Sequence, residues 1–292
     1  MLGEAMMHGD AFLNVAEFPL LWRVLLNSGL IAAIAAWLGV QILSRGIVFL
    51  GLAVAQGAAA GVTMALWLRF YPLLGSLGFV LGTSTVLGSP RFRTKEGHEE
   101  GQIGILYVVF LALGALFLAL NPHGEGRMLQ VFYGNVLTID RGESAFLWTV
   151  AAVLIGFQGW RWKAFLWLAT DPRTASAFGV PFRLYNLLFF IMLGVGLGLL
   201  LHMAGLVVPL ALMIVPAYTA FHTVTGVRAV LIVSQLLAIV PTLLAVLAGI
   251  AFTPDYPLGS MIAIATLLGS TVFYLGYRLS HLRLGPAEQA AA

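Results

Sequence analysis

Residues 171–183 read Asp171-Pro-Arg-Thr-Ala-Ser-Ala-Phe-Gly-Val-Pro-Phe-Arg183, a polar island between two long apolar runs. Asp171 is a favourable N-cap, because its carboxylate accepts from the free N–H groups of a first turn. Pro172 suits the first helical position, where its missing N–H would have had no partner. Gly179 takes a left-handed conformation at no steric cost, and Pro181 then prevents continuation. The stretch predicts a complete helix of about two turns, roughly 12 Å at ~1.5 Å per residue, far too short to cross a bilayer. Ala175, Phe178 and flanking arginines lie on its outward face. Two readings fit: an ordinary interfacial loop helix, and a docking element for a cytoplasmic partner.

On either side the chain is apolar. Of its 292 residues, 60% are hydrophobic and only 9% charged, where a soluble domain carries about a quarter charged residues. A water-soluble fold cannot cover itself with so little polar surface, so the chain reads as an all-α, polytopic integral membrane protein. The formal net charge of +3 is too small for a nucleic-acid partner to be expected. The absence of cysteine excludes disulfides, thiolate catalysis and Cys metal sites. Met1 to Asp10 carries Glu4, His8 and Asp10 but no basic stretch, so no cleavable signal peptide is expected and the first apolar run directs insertion.

Runs near the ~20 residues needed to cross the hydrocarbon core lie at about 20–43, 47–68, 71–89, 103–120, 144–167, 184–202, 205–221, 227–251 and 258–280. This predicts about 8–9 transmembrane helices in one domain over 20–280, with an external segment at 1–19 and a cytoplasmic tail at 281–292. Gly75, Gly78 and Gly82 weaken the third run, and Pro209 and Pro216 interrupt the seventh, so either is a candidate half-helix. With the N-terminus outside, the inner loops hold 11 of the 15 basic residues, among them Arg45, Arg161, Arg173 and Arg183. The positive-inside rule favours that orientation. Residues 89–101 then form a solvated inner loop. The outer loop 121–143 contains an apolar piece, Met128 to Ile139, suited to the interface or to a re-entrant dip.

Phosphate-binding loops need a Gly-Lys-Ser/Thr ending. The two lysines, Lys95 and Lys163, do not follow glycine. Any ATP and Mg used would therefore sit on another chain, with no cofactor bound by this one. No hydrolase constellation is present either, and the chain is not expected to be an enzyme. No Asp, Glu, Lys or Arg falls in the middle of a run; each would cost on the order of 3 kcal/mol there. That argues against a carrier with a carboxylate relay. His202 and His222 lie at span ends, where a histidine is an interfacial hydrogen-bonder or, less commonly, a ligand. The uncharged polar groups inside the runs include Gln56, Thr63, Thr83 to Thr85, Asn186, Ser234, Gln235, Thr266, Ser270 and Thr271, each expected to bond a neighbouring helix. Gln56-Gly57-Ala-Ala-Ala-Gly61 is a small-residue face that serves either helix packing or a pathway wall. Gln56, Gly57, Gly61 and His202 are the candidate translocation-path residues.

Taken together, the chain resembles the membrane permease subunit of bacterial ABC importers for zinc, manganese and iron. The resemblance is carried, in order, by Ser44-Arg-Gly-Ile-Val-Phe-Leu-Gly51, Glu100-Gly-Gln-Ile-Gly-Ile-Leu106, the 171–181 island, Ala204-Gly-Leu-Val-Val-Pro-Leu-Ala-Leu-Met-Ile-Val-Pro-Ala217 and Asp255-Tyr-Pro-Leu-Gly-Ser260. It implies a homodimer in the bacterial cytoplasmic membrane, cytoplasmic ABC ATPase subunits holding ATP and Mg, and an external solute-binding protein. It also implies that residues 169–183 are the coupling segment, with Asp171, Ala175, Phe178 and Gly179 in mechanical contact with the ATPase. In one respect the sequence departs from the family. After the glycine at position 51 the family has an aspartate and, four residues on, a histidine as metal ligands; here Leu52 and Gln56 stand in those places, and Ala60 replaces a proline. Divalent metals prefer carboxylate or imidazole donors, so a permease for a non-metal solute or chelate is the alternative, and an ATP-independent secondary carrier a more distant one.

Overall fold

A computed structural model of the chain describes residues 19–87, 99–121, 139–161, 165, 181–252 and 257–283. Among the described residues there are nine α-helices and no strand: α1 (Pro19–Ser44), α2 (Val48–Leu68), α3 (Pro72–Leu87), α4 (Glu99–Ala119), α5 (Arg141–Trp160), α6 (Phe182–Ala204), α7 (Val207–Thr223), α8 (Val227–Phe252) and α9 (Leu258–Arg283). They fall on the nine apolar runs. Six of them, α1, α2, α4, α6, α8 and α9, are long and apolar enough to cross a membrane, whereas α3 and α7 are shorter.

Local chemistry accounts for the ends. Asp140 caps α5 through a capping box, accepting from the Glu143 N–H at 2.7 Å while Glu143 Oε2 accepts from the Asp140 N–H at 3.3 Å. This box starts α5 three residues before the apolar run begins. Pro181 is the N-cap of α6, as its fixed φ favours. After α2 the chain turns at Arg69, in the left-handed region at φ 59°, with its N–H on the Ala65 carbonyl. Neither short helix is broken. Pro209 lies in the first turn of α7, where a missing donor costs nothing. Pro216 lies inside it, where it removes one backbone bond that the surrounding helices tolerate.

Helix α1 packs against α7 and α8, α2 against α3 and α4, and α6 against α3, α2 and α1, while α9 covers α7 and α8. Helix α5 rests on α1 and α6 through the stripe Leu147, Ala151, Leu154 and Gln158. The largest core side chains, Phe189, Ile31, Leu38, Leu197 and Leu212, are fully buried around α1, α6 and α7. Large apolar residues on α4 and α9, such as Ile105 at 65% and Val272 at 69%, are exposed, as suits surfaces solvated by lipid.

The crossings are made by glycines. A Cβ at Gly39 would collide with the Met213 carbonyl of α7, and one at Gly61 with the backbone of Gly75 on α3, reciprocally. One at Gly194 would overlap Val80 and stand 2.6 Å from Ser84 Oγ. Gly78, by contrast, has open space around it. Gly61→Val is therefore expected to destabilise the bundle by at least the ~1–3 kcal/mol typical of overpacking, and Gly78→Ala to leave it unchanged. Thermal unfolding of detergent-purified protein measures both, and a Gly61→Val protein that melts with the wild type would overturn the packing account.

Candidate functional site

Polar groups collect at the two ends of the bundle. At the end that the positive-inside rule places outside, α1 meets α5. Asn27 Oδ1 accepts from Ser144 Oγ at 2.9 Å and from Trp148 Nε1 at 3.2 Å, and Arg23 Nη2 donates to the Ile139 carbonyl at 3.2 Å. Next to Ser144, Glu143 Oε1 of α5 stands 3.7 Å from His202 Nε2 in the last turn of α6. The His202 ring is flanked by Tyr71, with 6.2 Å between centroids. Three chain segments thus converge on His202.

At the inner end, the Arg45 guanidinium lies 3.4 Å over the centroid of buried Phe189 and Nη1 donates to Asn186 Oδ1 at 3.4 Å. A cation on an aromatic face keeps its attraction in a dry setting. Just past α5, Phe165 packs on Phe157 at 6.1 Å and on Tyr185 of α6 at 5.7 Å, and Arg161 lies 5.9 Å from the Tyr185 ring. The two flanks of the 171–179 island, Phe165 before it and Tyr185 after it, are therefore in contact. Close to this inner end lies a buried polar hub: Gln158 Oε1 accepts from both Trp37 Nε1 and Gln41 Nε2, and its Nε2 faces Met192 Sδ at 3.7 Å.

The residues singled out in the sequence are distributed over these places. Asp171, Ala175, Phe178 and Gly179 lie outside the described residues. Gly57 faces Phe110 of α4 and Thr83 of α3, and Gly61 sits at the α3 crossing. Gln56 is half-buried together with Leu52 one turn away, on a less enclosed side of α2. His202 is at the outer end; Gln56 stands 12 residues before the outer end of α2, on the order of 18 Å at ~1.5 Å per residue. The structure does not gather the four candidates into one place. His222 stacks on Tyr218 at 4.1 Å and bonds the Tyr218 carbonyl at 2.8 Å, on an exposed surface.

Expected cross-helix bonds form at Gln235, which donates to the Ala33 carbonyl of α1 at 3.0 Å, and at Asn186. The threonines differ from expectation: Thr63, Thr83, Thr85, Thr266 and Thr271 all donate to carbonyls three or four residues back on their own helices. A hydroxyl within reach of its own i−4 carbonyl needs no neighbour. Glu143, Tyr71 and Gln158 were not legible as site residues. Glu143 falls one residue outside the apolar run, and the signal for Gln158 was its register with Leu147, Ala151 and Leu154. Among the described residues no group of three or more His, Cys, Asp and Glu is placed to hold a metal.

A model of the family described as the ABC 3 transport family matches residues 17–282. The manganese transport system membrane protein MntC of Halalkalibacterium halodurans is 26% identical over 279 residues, covering 92% of this chain and 90% of that protein. The manganese import system permease protein ScaB of Streptococcus parasanguinis is 22% identical over 262 residues, covering 90% and 91%. Among solved structures, PsaBC from Streptococcus pneumoniae in complex with Fab has a similar fold, with a TM-score of 0.76 over 90% of this chain and 94% of that one at 20% identity.

Replacing Gln158 by Leu would leave the Trp37 and Gln41 donors without their acceptor, at a cost of about 1–3 kcal/mol. The loss should shrink in a Trp37→Phe background, where one orphaned donor is gone. A double-mutant cycle on thermal stability measures the coupling, and strict additivity would count against the hub.

Proposed function

The chain belongs to the ABC 3 transport family, and from that membership we propose that it is the membrane permease subunit of an ATP-driven importer for a divalent metal ion of the zinc, manganese or iron class. The observation that carries the reading is the family match across all nine helices, joined by relatives named for manganese transport that align over about nine-tenths of their own length. As such it is a multi-pass protein of the bacterial cytoplasmic membrane.

ATP and Mg bind a separate cytoplasmic ATPase, since Lys95 and Lys163 belong to no phosphate-binding loop. A solute-binding protein delivers cargo to the outer end, and two permease copies enclose the path. The coupling segment, with Asp171, Ala175, Phe178 and Gly179, receives the ATPase stroke. The Phe165–Tyr185 contact supports that role: it closes the segment at its base, so a force on it reaches α5 and α6 together. Gln56 and His202 border the path at different depths, and Gly57 and Gly61 set how closely its wall packs. A second reading, a permease for a chelate or other non-metal solute, draws on Leu52 and Gln56. Their side of α2 offers an amide but no carboxylate or imidazole, which suits a solute that brings its own ligands.

Purification from native membranes tests the assignment. An ATPase subunit should co-purify with the wild type and be lost from Phe178→Ala. Gly179→Val should keep the complex while uncoupling ATP hydrolysis from uptake. If no ATPase comes down under conditions that preserve other transporters, the importer reading fails in favour of a secondary carrier. Metal analysis of the associated binding protein separates the metal cargo from the chelate.

A further inference from the structure

We propose that Glu143 and His202 form a capture site for a divalent transition-metal cation at the outer end of the bundle. An imidazole nitrogen and a carboxylate oxygen, on different helices, point at one another at 3.7 Å. This is the spacing of a loose ion pair, longer than the ~3.2 Å of an ordinary N–H···O bond. A cation held ~2.1 Å from each donor at a tetrahedral angle sets them about 3.4 Å apart, a small side-chain rotation away from what is observed. Imidazole with carboxylate is a donor pair suited to zinc, manganese and iron.

The pair is also held in place. Glu143 is oriented by its capping box with Asp140, which engages Oε2 and leaves Oε1 toward His202. The Tyr71 ring lies 6.2 Å from the imidazole between centroids. The nearby cation Arg23 is turned to the Ile139 carbonyl. Side-chain exposures of 16% for His202 and 33% for Glu143 leave the site open to an arriving ion but screened from bulk water. Among the described residues no group of three or more His, Cys, Asp and Glu is placed to hold a metal, so two protein donors leave the remaining positions to water. Such a site holds its ion weakly, which is what a first station in transit requires.

The proposal rests on the importer reading for its cargo and direction. It is tested on the full-length permease in lipid nanodiscs, with 15N-labelled histidine and Mn2+ followed by pulsed electron paramagnetic resonance. The wild type should show nitrogen coupling from a bound imidazole. His202→Ala should abolish it, and Glu143→Gln should weaken Mn2+ binding by about tenfold or more, since even outer-shell partners of a metal contribute that much. Should His202→Ala not purify as a monodisperse protein, Glu143→Gln carries the test alone. Nitrogen coupling retained in His202→Ala, or lost only in His222→Ala, overturns the site. If metal uptake by cells depends on the chain while Mn2+ shows no such coupling, the capture site fails and the importer reading stands. If the coupling is present while deleting the protein leaves metal accumulation unchanged, the site stands and the importer reading fails.

Discussion

At Gly39 the backbone of α1 lies against the Met213 carbonyl of α7, and at Gly61 the backbone of α2 lies against Gly75 of α3, with no room for a Cβ at either crossing. In lipid these crossings replace the hydrophobic effect as the organising force, because acyl chains solvate a leucine as well as another helix does. Association then rests on close van der Waals contact, which small residues permit. Gly194 repeats the device where α6 meets Val80 and Ser84 of α3. Through these contacts α2 and α6 are both fixed on α3, and α1 on α7.

Polar contacts among the described residues gather toward the two ends of the bundle. On the outer side, one turn of α5 supplies Glu143 to His202 and Ser144 to Asn27, so a single capped helix start touches both α1 and α6. On the inner side, Arg45 is held over Phe189, and Phe165 meets Tyr185. The same helix, α5, links the two levels, resting on α1 and α6 along a stripe that ends in Gln158. This helix is thus tied to its neighbours near both of its ends.

Much of this was readable in one dimension. The runs at 47–68, 227–251 and 258–280 became Val48–Leu68, Val227–Phe252 and Leu258–Arg283, because continuous apolarity and helix continuity are the same constraint in a bilayer. The boundary at α5 moved because Asp140 and Glu143 form a capping box whose polar residues lie outside the apolar count. Pro209 and Pro216, read as interruptions, sit within an unbroken α7. The threonines, read as links between helices, bond their own. In each case the local backbone offered a partner that a reading by polarity alone assigned elsewhere.

The sequence by itself determined an all-helical membrane protein, the nine apolar runs on which its described helices fall, and the order of blocks that marks its family. These follow from signals that act within a turn or two of the chain: hydropathy, caps and fixed φ. Only the tertiary structure decided that Glu143 faces His202, that Gln158 gathers Trp37 and Gln41, and that Gly61 serves the α3 crossing while Gln56 sits on a less enclosed side of α2. A helix that is apolar all round does not announce which face meets which neighbour. That choice is made by shape, where one backbone finds room beside another.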